Sequence, residues 1–599
     1  MSRFLYAFEQ NPERIAEIRE RFTRLGRGFL HSQQLTEHLT GHAWLGCWAS
    51  ARVPQSSAGD ADGRRAWVLG LHDRCADAGR QAAVLLDEFR RSGIAAAAGN
   101  TGFFAAMLAE PDRTWFVADQ LGLCPVYYAD TGGSVWVASS PGLILDDPRF
   151  RRELDVHGLV GHLLTMHEAL NQPLWQGIKR LPAGHGLRVE DGRTSAVGLA
   201  PLPVGDGAFG LPLAGQMDTL AETLHQVFQP MRGARAGLLL SGGLDSRMVA
   251  GFLREAAPAH VETLTLGAAS DLEARCARRV TRLLRWPSRL IEVPPDSVPE
   301  DARIQLAEEH LANGLSDTSW WRIPKASLPA MDVLLTGFLG DPIVGGSHVN
   351  WAYDPATRRF DFTTMFRSIN RWGLSPACLR SLLLPRWHGA IDEVIGGLKD
   401  QFEGLPGAPF QKAWAFDLLN RQRYHVAGSA RRISHAIWPA FPLADQRVLA
   451  WAGNMPASPL MFRQLQFQLF IQRFPDLARL PADNNSYRPR ALIESLPAKF
   501  AARTTGALSA AWHRKLGGEK RYYYRVYDIN NSGWRALRNS VHRAPAELEP
   551  FLDGSVLKKI IGDARQPIRV ADGIIDTSGI KTLLGLCLLM ASLEPGKLG

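Results

Sequence analysis

The chain has 599 residues, 46% of them apolar and 21% charged, with a formal net charge of +9. That length is too great for one core, so two or more domains are expected, and the composition is that of a soluble globular protein rather than a disordered one. The charge is mild for this size; it fits binding of ATP or an acidic peptide and decides nothing alone.

Up to about residue 200 the pattern is short apolar runs broken by turn residues. Examples are AWVLGLH (66–72), FFAAMLAE (103–110), TWFVADQLG (114–122), VYYADTGGSVWVASS (126–140) and GHGLRVEDGRTSAVG (184–198). Gly132-Gly133 and Asp191-Gly192 sit between alternating runs, which is a hairpin signal. Residues 1–200 therefore read as a β-rich layered domain, and the Pro/Gly-dense stretch 199–216 as a linker. From 217 the period changes. MDTLAETLHQVFQPM predicts a helix, AGLLL a strand and Asp245 to Glu255 a helix. VETLTLG, DLEARCARRVTRLL and SRLIEV continue as strand, helix, strand, and MDVLLTG is a further buried strand. Strands alternating with helices imply a parallel sheet covered on both faces, which binds ligands at the carboxyl ends of its strands. Both Gly-rich turns, 241–246 and 337–346, fall at such ends.

The six cysteines, at 47, 75, 124, 276, 378 and 587, form no CxxC pair; neither a zinc site nor a disulfide framework is suggested, which fits a reducing cytoplasm. The start, MSRFLYAFEQNPERIAEI, carries charge where a signal peptide needs an apolar run, and the apolar stretch Leu583 to Leu593 is too short to span a bilayer.

The first Gly-rich turn has a physical reading. Glycines after a strand let the backbone approach a ligand and turn its N–H groups inward. A helix starting near Asp245 adds its positive end. Ser241 and Ser246 can donate to phosphate oxygens. Asp245 would be repelled by phosphate, so it makes sense as a magnesium ligand. A capped strand–helix turn is the plain alternative for a bare SGG; the full SGGxDS is more specific, and it is neither a Walker loop nor GxGxxG.

LLLSGGLDS resembles the pyrophosphate-binding loop of the asparagine synthetase superfamily of ATP pyrophosphatases. GFFAAMLAEPDRTWFVADQLGLCPVYYA and LWQGIKRLPAGHGLRV resemble its amino-terminal glutaminase-type domain. LTLGAASDLEARCAR, LTGFLGDPIVGG and FPLADQR resemble the adenine-side strand, the second nucleotide loop and a later motif. The resemblance spans roughly residues 100 to 480. It implies an α/β protein: a β-rich, Ntn-type layered domain over 1–200, and over 217–599 a parallel-sheet ATP pyrophosphatase synthetase domain with helical additions. It also implies ATP and Mg2+, with Asp245 and Asp341 on the metal and Ser241, Gly242, Gly243 and Ser246 around the pyrophosphate. Leu240, Leu266, Gly267, Thr336 and Gly337 would line the adenosine side.

The departures narrow the expectation. Glutamine-hydrolysing members begin their mature chain with a cysteine nucleophile; this sequence begins Met1-Ser2-Arg3, so no ammonia source is expected. Phe338 and Pro342 stand where asparagine synthetases keep acids, and Trp438 where β-lactam synthetases keep the glutamate of a base dyad. The family lysine has no match, and Arg488 and Arg490 are offered in its place. Branches that use an amine of the substrate itself are the β-lactam synthetases and the lasso peptide cyclases (macrolactam synthetases), and the SGGLDSR and GDPIVGG variants look more like the cyclases. That branch implies a precursor peptide with a free N-terminal amine and a leader peptidase partner. A small-molecule amide or β-lactam synthetase, a glutamine-dependent asparagine synthetase-like amidotransferase, and a non-catalytic or RNA-associated relative stay open. His435 is the candidate base beside His348, both near the loops. The basic, tyrosine-bearing segment 499–543 reads as a solvated helical surface or a peptide-docking face in preference to an RNA site. The tryptophans of SWWRIP (319–324) read as packing.

Overall fold

The computed structural model describes residues 3–25, 34–40, 42–73, 77–315, 317–483, 489–494, 521–541, 545–570 and 575–592. Ser2, Cys75, Arg488, Lys499, Arg503, Arg514, Lys515, Lys520, Arg543 and Leu593 lie outside them.

The first half holds β1 (Arg3–Phe8), β2 (Gln34–Thr40), β3 (Ala43–Ala49), β4 (Gln55–Gly59), β5 (Arg65–His72), β6 (Gly102–Ala109), β7 (Thr114–Ala118), β8 (Tyr127–Thr131), β9 (Ser134–Ala138), β10 (Lys179–Arg180), β11 (His185–Glu190) and β12 (Arg193–Gly198). They form two six-stranded sheets, ordered β10-β8-β9-β1-β3-β2 and β12-β11-β7-β6-β5-β4. Alternation along each strand feeds two layers at once. Phe4 and Tyr6 of β1 join Trp67, Phe103 and Phe116 between the sheets. Leu5 and Ala7 point the other way, into a core shared with Ile15, Ile18 and Phe22 of helix Pro12–Leu25. Val68 and Phe104 pack outward with Leu85 and Phe89 of helix Gln81–Ser92. The result is the helix–sheet–sheet–helix layering of an Ntn-type domain. Gly132 and Gly133 (φ 55° and 100°) and Asp191 and Gly192 (φ 51° and 70°) turn the two hairpins, the positive φ that a two-residue turn demands.

The second half is built on β13 (Arg235–Leu239), β14 (His260–Gly267), β15 (Ser288–Glu292), β16 (Val333–Leu335) and, after a small hairpin of β17 (Tyr353–Asp354) and β18 (Arg359–Phe360), β19 (Pro439–Ala440). The five-stranded sheet runs β15-β14-β13-β16-β19, every pairing parallel. The chain builds outward from β13 to β15, then returns to β16 on the other side of β13. The strand order therefore reverses between β13 and β16, and the crevice of an open parallel sheet lies at that point. Helices Phe362–Asn370, His388–Gly404 and Ser578–Ser592 are the helical additions; they share a core with the outer face of the first sheet. No helix of the described residues is long and apolar enough to cross a membrane.

The stretch after Gly198 has no regular structure up to Pro212, where helix Leu213–Phe228 begins. It is nevertheless pinned: Gly205 N–H donates to the Gly453 carbonyl at 3.1 Å. Arg423 and Arg431 of helix Arg423–Ile433 tie the halves together, and Arg432 anchors the helix within the second half. Arg423 Nε donates to the Gly122 carbonyl at 3.1 Å and Arg431 Nη1 to the Ser139 carbonyl at 2.6 Å. Arg432 grips Glu309 with two parallel bonds of 2.6 Å, both side chains almost wholly buried. Arg432→Met should destabilise the protein by about 3–5 kcal/mol, because it strands a buried carboxylate. Denaturant unfolding checks this, and a loss under about 1 kcal/mol would show the pair to be dispensable.

Candidate active site

The first loop leaves β13 at Leu240 and enters helix Leu244–Glu255 through Ser241-Gly242-Gly243. Its hydroxyls close the turn. Ser241 N–H donates to Ser246 Oγ at 3.2 Å, the two Oγ atoms lie 3.0 Å apart, and Gly243 N–H donates to Ser241 Oγ at 3.1 Å. Gly242 is enclosed: a Cβ there would stand 3.0 Å from Glu273, Cys276 and Asp483. Beside this loop, Leu240 is buried under β14, its N–H donating to the Leu264 carbonyl at 2.9 Å. Leu266 and Gly267 end β14, Gly267 at φ 137°.

The second loop leaves β16 at Thr336, whose buried hydroxyl donates to the Ala440 carbonyl at 3.3 Å. Its glycines explain the sequence. A Cβ on Gly337 would lie 2.6 Å from the Ser246 nitrogen, and one on Gly340 would lie 2.8 Å from Asp245 Cβ. Only glycine lets the second loop lie directly on the start of the helix. That contact brings Asp341 beside Asp245.

A guanidinium joins the two carboxylates. Arg463 Nη1 donates to Asp245 Oδ1 at 3.1 Å, and Arg463 Nη2 pairs with Asp341 Oδ1. Gln466 Nε2 donates to the same Asp245 oxygen at 2.6 Å. Phe462 and Arg463 both sit in the left-handed region (φ 54° and 60°), a costly backbone for non-glycine residues and one that marks functional segments. Desolvation raises the Asp341 carboxyl, Arg463 pulls it back, and Asp245 pushes it up again. Against their own desolvating recess, Asp245 and Asp341 hold Arg463 more firmly charged. Two carboxylates fit a hard cation that completes its shell with phosphate oxygens and water, and the Ser241 and Ser246 hydroxyls lie alongside. Among the described residues no cluster of three or more metal-binding side chains occurs.

The basic candidates resolve differently from expectation. Arg490 is engaged with Glu494 at 2.7 Å on the surface and Arg488 lies outside the described residues, while Arg463, which sequence reasoning missed, stands at the loops. His435 is buried edge-on against Trp321, ring centroids 4.5 Å apart. His348 is buried too, and burial lowers it to about 3. His425 keeps a partly exposed ring, its Nδ1 2.9 Å from Asp317 Oδ2. Against burial, His425 and then Arg432 hold the Asp317 carboxyl down at about 2. Of these histidines, His425 is the one left partly exposed, its ring fixed by Asp317.

Where it is described, part of the basic segment is buried rather than solvated, while Tyr523 and Arg535 are exposed. Arg521 is buried between Glu273 and Asp483 (3.3 and 3.2 Å), Arg525 donates to Asp271 at 2.7 Å, and Tyr522 and Tyr527 are buried. These side chains pack the end of β14 beside Leu266 and Gly267. Of SWWRIP, Trp321 is fully buried and Trp320 meets Phe338 edge-on.

Residues 220–566, more than half of the chain, match the asparagine synthase family. The chain belongs to the asparagine synthase family. Residues 76–198 match the glutamine amidotransferase domain family, which accords with the layered first half. No curated protein matches the chain. Among solved structures, an allosteric regulatory enzyme of purine biosynthesis is 11% identical, with a TM-score of 0.24, covering 49% of this chain and 81% of that one. Glutamine phosphoribosylpyrophosphate amidotransferase from B. subtilis, complexed with ADP and GMP, is 10% identical, with a TM-score of 0.23 and coverages of 62% and 79%. Members of the asparagine synthase family are ATP-dependent carbon–nitrogen ligases, and the chain is one by this membership.

Proposed function

We propose that the chain adenylates a side-chain carboxylate of a precursor peptide and joins it to the N-terminal amine of the same peptide, closing a lasso-type macrolactam. The observation that carries the ligase chemistry is the meeting of Asp245 and Asp341 at the switch point of the parallel sheet. On this reading residues 1–200 are a glutaminase-like domain, and 217–599 the synthetase domain.

In this scheme Asp245 and Asp341 hold Mg2+, which offsets charge on the pyrophosphate leaving group. Ser241, Gly242, Gly243 and Ser246 cradle that pyrophosphate, and Leu240, Leu266, Gly267, Thr336 and Gly337 line the adenosine side. Arg463 moves from the carboxylates to the phosphates. His425, oriented by Asp317, takes a proton from the peptide's N-terminal ammonium, and the neutral amine then attacks the acyl-adenylate, releasing AMP. Holding both reacting groups of one peptide together contributes up to about 7–11 kcal/mol. A leader peptidase is the partner this reading calls for, and the cytoplasm its place.

Aromatic packing ties the first half to the nucleotide loops. Trp438 lies against Gly70 and Phe103 of the first half, its ring 5.0 Å from that of Phe103. Phe103 meets Phe441 at 5.8 Å, and Phe441 meets Phe338 of the second loop at 6.1 Å. A row of packed rings thus joins the first half to the nucleotide loops. The glutamine amidotransferase match favours a second reading, a glutamine-dependent amidotransferase. One assay separates the two. A linear peptide with a free amine and an internal Asp or Glu should lose the mass of one water as ATP becomes AMP and pyrophosphate, and acetylating the amine should stop closure. Glutamate released from glutamine in step with product would instead establish the second reading.

A further inference from the structure

Behind Asp341, helix Pro409–Asp417 passes through a π-helical turn, Leu418–Gln422, into helix Arg423–Ile433. Such turns are rare and concentrate at functional sites. Arg421 lies in this one. Its guanidinium stands 4.2 Å over the Trp372 ring and 5.6 Å from that of Trp351. Arg421 is 8% exposed, and its Nε and Nη1 are enclosed without a hydrogen-bond partner. Asp417, four residues earlier, accepts from Gln422 Nε2 at 3.2 Å, so against the burial of Arg421 it and Asp317 act through charge and leave Nε and Nη1 unbonded. Trp351 belongs to helix Ser347–Ala352, directly after the second loop, and both tryptophans are only half-buried. The charge of Arg421 reaches Asp341, where it counters the upward push of desolvation.

A buried cation with unmade hydrogen bonds is costly, and a fold that keeps one gains from a ligand that completes it. The guanidinium fork matches a carboxylate in shape and charge, and flanking tryptophans hold its plane. We propose that Arg421, framed by Trp351 and Trp372, receives the substrate carboxylate that is to be adenylated. This rests on the reading above, because a carboxylate held beside the Asp341 loop stands next to the phosphates only if the loops carry ATP.

The probe is glutaric acid monoamide, with neutral glutaramide as control, titrated calorimetrically into the full chain loaded with Mg2+ and a non-hydrolysable ATP analogue. Wild type should bind the acid and ignore the diamide. Arg421→Met should weaken acid binding about ten-fold or more while nucleotide binding is unchanged. Arg371→Met, which removes an exposed neighbouring charge, should bind the acid as wild type does. Should Arg421→Met not fold, Arg421→Lys, which keeps the charge but not the fork, should weaken the acid at least about three-fold. A folded Arg421 variant with wild-type acid affinity overturns the proposal, as does a wild type that does not distinguish acid from diamide. If the acid binds through Arg421 but no acid or peptide ever yields AMP, the carboxylate site stands and the ligase reading falls.

Discussion

A folded Asp245→Asn protein is expected to release AMP roughly a thousand-fold more slowly than wild type, because a metal-facing carboxylate in phosphoryl chemistry is worth several kcal/mol of transition-state stabilisation. The change is nearly isosteric, and Asp245 is partly exposed at the start of its helix, so the core should hardly notice it. Asp341→Asn should behave alike. The double variant should be little worse than either, since residues that serve one ion are not additive. Rapid-quench measurement of AMP, with melting curves as the folding control, decides the matter. Near-normal AMP release by either folded variant, or fully additive losses, would remove the pair from the metal.

Arg463→Met is expected to have two opposite effects. In the present geometry Arg463 neutralises two carboxylates that otherwise repel. Without it, Mg2+ alone should raise the melting temperature by several degrees, where wild type should respond little, because the ion no longer displaces a guanidinium. Turnover should nevertheless fall about a hundred-fold, through loss of charge-assisted bonds to the phosphates. Differential scanning fluorimetry with Mg2+ in the absence of nucleotide reads the first effect, and AMP release the second. If Mg2+ stabilises wild type and variant equally, the guanidinium does not compete with the metal.

How far the chain could be read before folding depends on what each residue has to do locally. The Ser241–Ser246 turn was legible because its demands are local: two glycines for close approach and hydroxyls at a helix start. The alternation of β11 and β12 was legible for the same reason, with Asp191-Gly192 adopting the backbone its turn needs. RFLYAF of β1 was not, since both faces of that strand are buried and the period-two signal vanishes. Arg463 was invisible because nothing in MFRQLQF announces two successive left-handed residues. Arg521 was misread because composition counts a charge without showing that Glu273 and Asp483 enclose it. His425 emerged only when the fold brought Asp317 to it from more than a hundred residues away in sequence.

The seam between the halves has a consequence for how the protein can vary. Arg423 and Arg431 reach across it largely to main-chain oxygens, at Gly122, Leu181 and Ser139, with Asn171 Oδ1 as a side-chain partner of Arg423. A bond to a main-chain oxygen does not itself read residue identity on the receiving side. Substitutions at Ser139 and Leu181 leave these bonds in place as long as the backbone keeps its path, whereas Gly122, at φ 64° and with Arg423 Nε 2.9 Å from a Cβ placed there, is not free to vary. Cutting the first half away is another matter: it would leave two guanidinium groups, shaped for an interior, facing water across an apolar face that includes Trp438. The first half can thus drift away from any chemistry of its own and still be retained, as the wall against which the synthetase folds.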